Sequence, residues 1–491
     1  MEKAKLLKVT VARRAAGRHD RIAVGVFPEK TPGLAALGPE LAAAVRSFAK
    51  RRGFAAGEAQ SAEGPIAGGA VLAVHGLGPA KEFQTAKLAQ FLERAIDGAR
   101  SAGARRLLVA LPDHAAVRAL GAPARLIRDA ALGGYRFDRF LSAAKPVALA
   151  AIDLLPAPDD EPAFHAERPA GLAAAAGIAL ARDLANSPPN EADPAWMARQ
   201  AVALARRWRA RATVLAPADL ARRGMGGILA VGGGSPGGPR MVRLERGRGP
   251  LTVALVGKGV TFDTGGISIK PAAQMDEMKW DKCGACAVLG IFEAATALDL
   301  PIRLRAYLPF AENMPDGSAF RPGDIVRIAN GKTVEIFNTD AEGRMILADA
   351  LSWAAAEKPD YLVEFSTLTG ACVVALGPTG AGLFTPHDEL AGALLVAAER
   401  SGERLWRMPL WSEFLDEMKG THADLKNLGG RWGGASAAAA FLSQFTAPVE
   451  RWAHLDIAGP AYVGGDGKKR GATGYGVGLT LGWLRALAAR A

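Results

Sequence analysis

Seven charged side chains carry the chemical interest of this sequence: Lys258, Asp263, Lys270, Asp281, Asp340, Glu342 and Arg344. The first three share the glycine-rich stretch Gly257-Lys258-Gly259-Val260-Thr261-Phe262-Asp263-Thr264-Gly265-Gly266-Ile267-Ser268-Ile269-Lys270, where backbone can approach a ligand closely. The last three close Asn338-Thr339-Asp340-Ala341-Glu342-Gly343-Arg344, just ahead of an apolar run that begins at Met345. Carboxylates drawn together repel one another unless a cation sits among them. Divalent metals are the usual answer, and two metals can share bridging carboxylates. None of the seven is histidine, so the ligand set is mostly oxygen and compatible with Zn, Mn, Mg or Co. The i, i+2 spacing of Asp340 and Glu342 aims both side chains the same way if that stretch is extended.

Each fragment has a plainer reading. Gly257-Lys258 after a strand superficially resembles a phosphate-binding loop, but Gly259 replaces the Ser/Thr that holds Mg²⁺ and the upstream glycine spacing is wrong. An isolated Asp-x-Glu is ordinarily a solvated turn, so the weight rests on the whole set. Cys283-x-x-Cys286 needs two further ligands to make a zinc site, and Cys372 is distant in sequence. The pair is read as small packing residues on a buried helix.

The elements that must position these groups alternate. Strand-like runs occur at Thr252–Val256, Ile302–Tyr307 and Tyr361–Phe365, with helical segments at Ala285–Ala297 and Met345–Glu357 between them. Such alternation predicts a mostly parallel, twisted sheet flanked by helices. Reactive groups then gather at the loops after the strands' C-terminal ends. Helical stretches also cover Leu172–Leu184, ended by Asn186-Ser187-Pro188-Pro189-Asn190, and Pro194–Arg209. Upstream, the runs Ala70–Val74 and Arg106–Leu111 with helical sequence between them indicate a smaller α/β domain. The stretch Leu154 to Pro162 is proline- and acid-rich and reads as a linker. The expected division is therefore an N-terminal α/β domain over 1–165 and a larger C-terminal domain over 166–491.

A chain of 491 residues, 49% apolar and 22% charged, is globular in composition and too long for one ordinary core. The amino-terminal MEKAKLLKVTVARR has no apolar stretch of signal-peptide length, and Ala-rich runs such as Gly171 to Ala181 are too short to span a bilayer. Three cysteines exclude a disulfide framework, so the expected home is a reducing cytoplasm. Residues 1–165 carry 24 Lys and Arg against 16 Asp and Glu, a net of +8 out of +11 for the chain. A basic module of this kind is able to touch nucleic acid, but no nucleic-acid motif accompanies it, and the plainer reading is a solvated, Arg-rich surface.

The block NTDAEGR (Asn338 to Arg344), continuing Met345-Ile346-Leu347-Ala348-Asp349-Ala350-Leu351, resembles the signature of the leucyl aminopeptidase family of dimetal exopeptidases. The block GKGVTFDTGGISIKP resembles that family's first metal segment, and the likeness extends over Glu312–Ile325, Ser366–Ala371, Ala423–Asn427 and Trp452–Ala461. It covers roughly residues 170–485. The resemblance implies two divalent ions, Mn²⁺ or Zn²⁺, bridged by Asp263 and Glu342, with Asp340 on one ion and Lys258 and Asp281 completing the other. A lysine ligand must be a neutral amine, which two adjacent dications favour. The resemblance also implies that Lys270 polarises the scissile carbonyl and that Arg344 holds a bicarbonate-like anion for proton relay. Met278, Thr367, Leu368 and Gly370 fall where the family lines its side-chain pocket and holds substrate backbone. The implied activity is removal of N-terminal residues from peptides, with apolar residues such as Leu preferred, and the implied assembly is a homohexamer.

Two positions depart from the common family form. After Asp281 the family often has Met-Gly-Gly-Ala-Ala, whereas this chain has Lys282-Cys283-Gly284-Ala285-Cys286, and position 420 is Gly where relatives often carry Ser. Two other functions compete: a protein that binds nucleic acid through its basic N-terminal domain, and a two-metal phosphoesterase. The placement of Lys270 and Arg344 favours peptides.

Overall fold

The computed structural model describes residues 6–490 except 16, 30–33, 52, 144–147, 468 and 469, so the first five residues of the amino-terminal stretch lie outside it. Its internal contacts divide the chain into two compact units, Glu2–Ala176 with 400–402, and Gly177–Glu399 with Glu403–Ala491. This division and the boundary read near residue 165 both fall within one long helix, Glu161–Asn186. The stretch read as a linker is ordered. Leu154-Leu155 closes a strand, and Glu161-Pro162 opens the helix, where a proline's missing N–H costs nothing.

In the smaller unit, β1 (Lys8–Val11), β2 (Arg21–Val26), β3 (Ser61–Pro65), β4 (Val71–Gly76), β5 (Arg106–Ala110) and β6 (Ala151–Leu155) form one sheet in the order β1-β6-β5-β2-β4-β3. All neighbours are parallel except β3 against β4. Strand alternation sends Leu107 and Val109 into one apolar cluster, with the helices Thr85–Ser101 and Ala122–Leu132. It sends Leu108 and Ala110 into another, with the helix Pro39–Ala49. The sheet is thus covered on both faces.

The larger unit adds β7 (Arg211–Leu215), β8 (Arg240–Arg246), β9 (Thr252–Gly257), β10 (Gly259–Asp263), β11 (Arg303–Asn313), β12 (Ile325–Arg327), β13 (Thr333–Glu335), β14 (Tyr361–Ser366), β15 (Gly380–Phe384), β16 (Arg404–Arg407), β17 (Leu425–Lys426) and β18 (Trp452–Asp456). Nine of these make the main sheet, in the order β16-β15-β18-β14-β9-β11-β8-β7, with β10 also on β11. Every residue of β9 is buried, which is why it reads as one apolar run rather than an alternating one. The helix Cys283–Ala297 packs on β9, β11 and β14 and is buried from Cys283 to Thr296, so it is apolar all round. The helix Gly343–Ala356 joins Ala254 and Val256 in a single core cluster. Among the described residues no helix is long and apolar enough to cross a membrane.

This topology positions the chemistry. Strands β9, β10, β11, β14 and β18 run parallel. At their C-terminal ends stand Lys258 after β9, Asp263 closing β10, Asn313 closing β11, Thr367 after β14 and Asp456 closing β18.

Candidate metal centre

Lys258 is locked by its own backbone. Its N–H donates to Phe365 O at 2.9 Å, and its carbonyl accepts from Ala285 N at 2.7 Å. The Asp263 carboxylate accepts from Gly265 N at 2.9 Å and from Asn313 Nδ2 at 2.8 Å. Gly265 and Gly266 have φ of 87° and 67°, and a Cβ on Gly265 would fall 2.4 Å from Ser268 O, so the turn requires glycine. Asp281 caps the short helix Met275–Trp280 at its C-terminus.

The segment carrying Asp340 and Glu342 is a turn, not the extended stretch on which the i, i+2 argument depended. Asn338 Oδ1 accepts from Asp340 N at 2.8 Å, and Thr339 Oγ1 donates to Gly265 O at 2.6 Å. Asn427 accepts from Phe337 N at 2.8 Å and donates to Asn338 O at 2.7 Å. Glu342 is the N-cap residue of the helix Gly343–Ala356. A Cβ on Gly343 would lie 2.5 Å from Lys258 Cε, so the absence of a side chain leaves room for the lysine to reach the cluster.

These elements bring oxygen atoms of Asp263, Asp340 and Glu342 within 4.8 Å of one another. Lys258 Nζ lies 2.8 Å from Asp281 Oδ2 and 2.9 Å from Glu342 Oε1, and donates to Thr367 O at 3.0 Å. Asp281 Oδ2 and Glu342 Oε1 are thus buried oxygens that share the one Lys258 ammonium. Lys270 Nζ lies 2.9 Å from Asp263 Oδ2 and donates to Asp340 Oδ1.

The electrostatics follow from burial. Desolvation raises Asp263, with Glu342 adding to the effect, and raises Asp340, with Asp263 adding to it. Desolvation also lifts Asp281 well above the ordinary carboxylate range, against the pull of Lys258. Burial alone would push Lys258 down, but Asp281, Glu342 and Asp263 more than offset it and hold the ammonium above the usual lysine value. Lys270 is raised likewise, by Asp263, Glu342 and Asp340 against burial. Four carboxylates against two ammonium groups leave a formal charge of −2 in a largely buried cluster. That charge and the all-oxygen acceptor set fit divalent cations.

Arg344 is buried beside this cluster with Nε unpartnered. Desolvation pushes it down to about 10, opposed by Glu342 and Asp456. A cavity of about 500 Å³ opens onto the cluster. All of Lys258, Asp263, Lys270, Met278, Asp281, Asp340, Glu342, Arg344, Thr367, Leu368 and Gly370 line it. So do Glu277, Tyr462 and Thr369, which residue-level reading passed over. Tyr462 stacks on Trp280 at 4.7 Å, and Glu277 accepts from Gly465 N at 2.8 Å. The latter two lack the spacing signal of a motif.

Lys282 is absent from the cavity lining. Fully buried, it donates to the carbonyls of Ser187, at 3.1 Å, and Lys279, and burial pushes it down to about 8. Cys283 and Cys286 are buried free thiols on the adjoining helix, outside the metal-capable group found among the described residues.

Residues 179–481 match the model of the cytosol aminopeptidase family, catalytic domain. A probable cytosol aminopeptidase of Azoarcus sp. (strain BH72) is 47% identical over 364 residues, covering 73% of this chain and 72% of that protein. One of Dechloromonas aromatica (strain RCB) is 43% identical over 418 residues, covering 83% of each. This chain belongs to the cytosol aminopeptidase family. Among solved structures, the bottromycin maturation enzyme BotP in complex with Mn is similar at a TM-score of 0.83 and 38% identity, over 96% of this chain and 99% of that one. A tomato leucine aminopeptidase mutant is similar at a TM-score of 0.87 and 31% identity, over 99% and 98%. Membership carries the fold and the enzyme class expected from the sequence, a metal-dependent aminopeptidase hydrolase.

Proposed function

We propose that this cytosol aminopeptidase family member removes apolar N-terminal residues such as Leu from peptides with the help of two divalent ions. The observation that carries the reading is the convergence of Asp263, Asp340 and Glu342 oxygens within 4.8 Å, beside Lys258 and Asp281, in a cavity large enough for a terminal residue. Asp263 and Glu342 would bridge the ions, Asp340 would hold one, and Lys258 and Asp281 the other. Bound there, the ions supply Lewis acidity and a water of lowered pKa. BotP is a complex with Mn, which supports manganese; zinc is the alternative.

The chain's own residues do the rest. Lys270, held between Asp263 and Asp340 and partly open to the cavity, donates to the scissile carbonyl oxygen as negative charge develops on it. Arg344, buried and with a spare donor, would hold a bicarbonate-like anion, which would supply a proton-relay group there. Met278, Thr367, Leu368 and Gly370 form the wall against which the first side chain and the substrate backbone pack. The aliphatic Leu368 and the thioether of Met278 favour apolar side chains there. Family membership supports a cytoplasmic homohexamer, which sedimentation of the purified protein tests.

The test is hydrolysis of leucine p-nitroanilide by metal-stripped protein with Mn²⁺, Zn²⁺ or Mg²⁺ restored, beside Asp340→Ala. Metal-dependent release that Asp340→Ala abolishes is expected, with no cleavage of p-nitrophenyl phosphate. Phosphate-ester cleavage without peptidase activity, or release that Asp340→Ala leaves intact, overturns the reading.

A further inference from the structure

Asp456, at the end of β18, is a buried charge that the mechanism above does not use. It is fully inaccessible, and its charge is felt by the buried Arg344, whose cationic form it favours. A buried carboxylate is costly unless it is also hydrogen-bonded. Two of its three side-chain hydrogen bonds hold one object, the turn that follows β14. Oδ1 accepts from Leu368 N at 3.2 Å, and Oδ2 accepts from Thr369 Oγ1 at 2.6 Å. Oδ1 also accepts from Ala458 N at 3.2 Å, which bends its own chain beneath that turn. Thr369 Oγ1 in turn accepts from Cys372 N at 3.0 Å, so the link extends into the following helix.

The same turn reaches the cation cluster. Thr367 O accepts from Lys258 Nζ at 3.0 Å, and Thr367 Oγ1 donates to Asp281 Oδ1 at 2.7 Å. Leu368 and Gly370 wall the cavity. Two adjacent residues of one turn are therefore pinned by Asp456 on one side while their neighbour holds two of the proposed ligands on the other. Ladder pairing brings Ser366 opposite Asp456, so the anchor sits directly under the point where the turn leaves the sheet.

We propose that Asp456 is a positioning residue: through Leu368 and Thr369 it fixes the 367–370 turn, and so sets both the placement of Lys258 and Asp281 and the shape of the wall that selects the terminal side chain. It is not among the residues that line the cavity. The inference rests on the aminopeptidase reading for its kinetic consequences and on geometry alone for its structural one.

The variants are Asp456→Asn, which keeps shape and removes charge, and the pair Thr369→Val and Thr369→Ser, which delete or retain the hydroxyl. Amide exchange over residues 367–372 should quicken at least tenfold in Asp456→Asn and Thr369→Val, with the unfolding midpoint little changed, and stay at the parent rate in Thr369→Ser. The parent's preference in kcat/KM for leucine over alanine p-nitroanilide should collapse at least threefold in Asp456→Asn, whose side chain is not part of the cavity lining. A purely structural role would lower both substrates equally. Unchanged exchange in Asp456→Asn and Thr369→Val refutes the proposal, as does equal impairment of Thr369→Val and Thr369→Ser. If the parent hydrolyses neither substrate while exchange responds as expected, the positioning role stands and the aminopeptidase reading falls. If Asp456→Asn does not fold, the threonine pair decides alone.

Discussion

Replacing Lys258 by methionine preserves length and removes the charge that the metal-free cluster depends on. Its ammonium meets Asp281 at 2.8 Å and Glu342 at 2.9 Å and donates to Thr367 O at 3.0 Å. With an effective dielectric of about 20, each carboxylate contact is worth roughly 6 kcal/mol before desolvation is charged against it. Desolvation cancels most of that sum, and removing one partner of a buried pair leaves a net loss of about 3–5 kcal/mol. Lys270 remains near Asp263 and Asp340 and softens the loss, which places the expectation near the lower end, about 3 kcal/mol. All nine tryptophans lie between Trp196 and Trp483, so tryptophan fluorescence during urea unfolding reports on the larger unit alone. The comparison is made in chelator, with Asp281→Asn and the double variant completing a cycle. The two losses should fail to add by at least about 1 kcal/mol, because each single change strands the other's charge. Strict additivity, or a Lys258→Met protein as stable as the parent in chelator, would refute the view that this lysine is the cluster's internal counter-ion.

A Cβ on Gly284 would lie 2.1 Å from Phe365 O and 2.8 Å from Lys258 N, backbone atoms that cannot swing aside. Gly284→Ala should therefore cost about 1–3 kcal/mol and weaken Mn²⁺ uptake by calorimetry, whereas Gly392→Ala, with open space around it in the helix Asp388–Ser401, should stabilise by about 0.5–1 kcal/mol. In the smaller unit, burial pushes His75 down to about 4, helped by Arg94 and Arg21, and its Nε2 has no partner. The native state then binds fewer protons than the unfolded one between about pH 6.5 and 4, so this stability is present above that window and lost as pH falls through it, by up to about 3 kcal/mol. Circular dichroism of urea unfolding at pH 7 and pH 4.5 should show the loss, and His75→Leu should shrink it. Burial also raises the thiols, Cys372 and Cys286 to about 12 and Cys283 well above its ordinary value, so all three should resist a thiol reagent at pH 8 until urea unfolds the chain.

What the sequence discloses and what it hides divide along a physical line. Lys258 and Asp263 are legible because charged residues at the ends of apolar strands stand out against a buried background, and Asp281, Asp340 and Glu342 because they stand beside apolar helices. The turn that aims Asp340 and Glu342 is not legible, because it is set by Asn427 and Thr339 reaching across from other parts of the chain. The end of the strand Ala151–Leu155 is masked by its neighbours: prolines and aspartates follow immediately, so Leu154-Leu155, buried between β1 and β5, reads as the start of a linker. The strand Ser61–Pro65 has little strand propensity of its own and is an edge held by register with β4. Lys282 shows the reverse failure. A lysine beside a proposed ligand announces itself as a charge at the site, yet its ammonium is turned away onto the backbone carbonyls of Ser187 and Lys279. It follows that this departure from the common family form acts, where it acts at all, on the packing beneath Asp281 rather than on the field seen by substrate. Lys282→Met should therefore change the unfolding midpoint more than it changes the pH dependence of kcat.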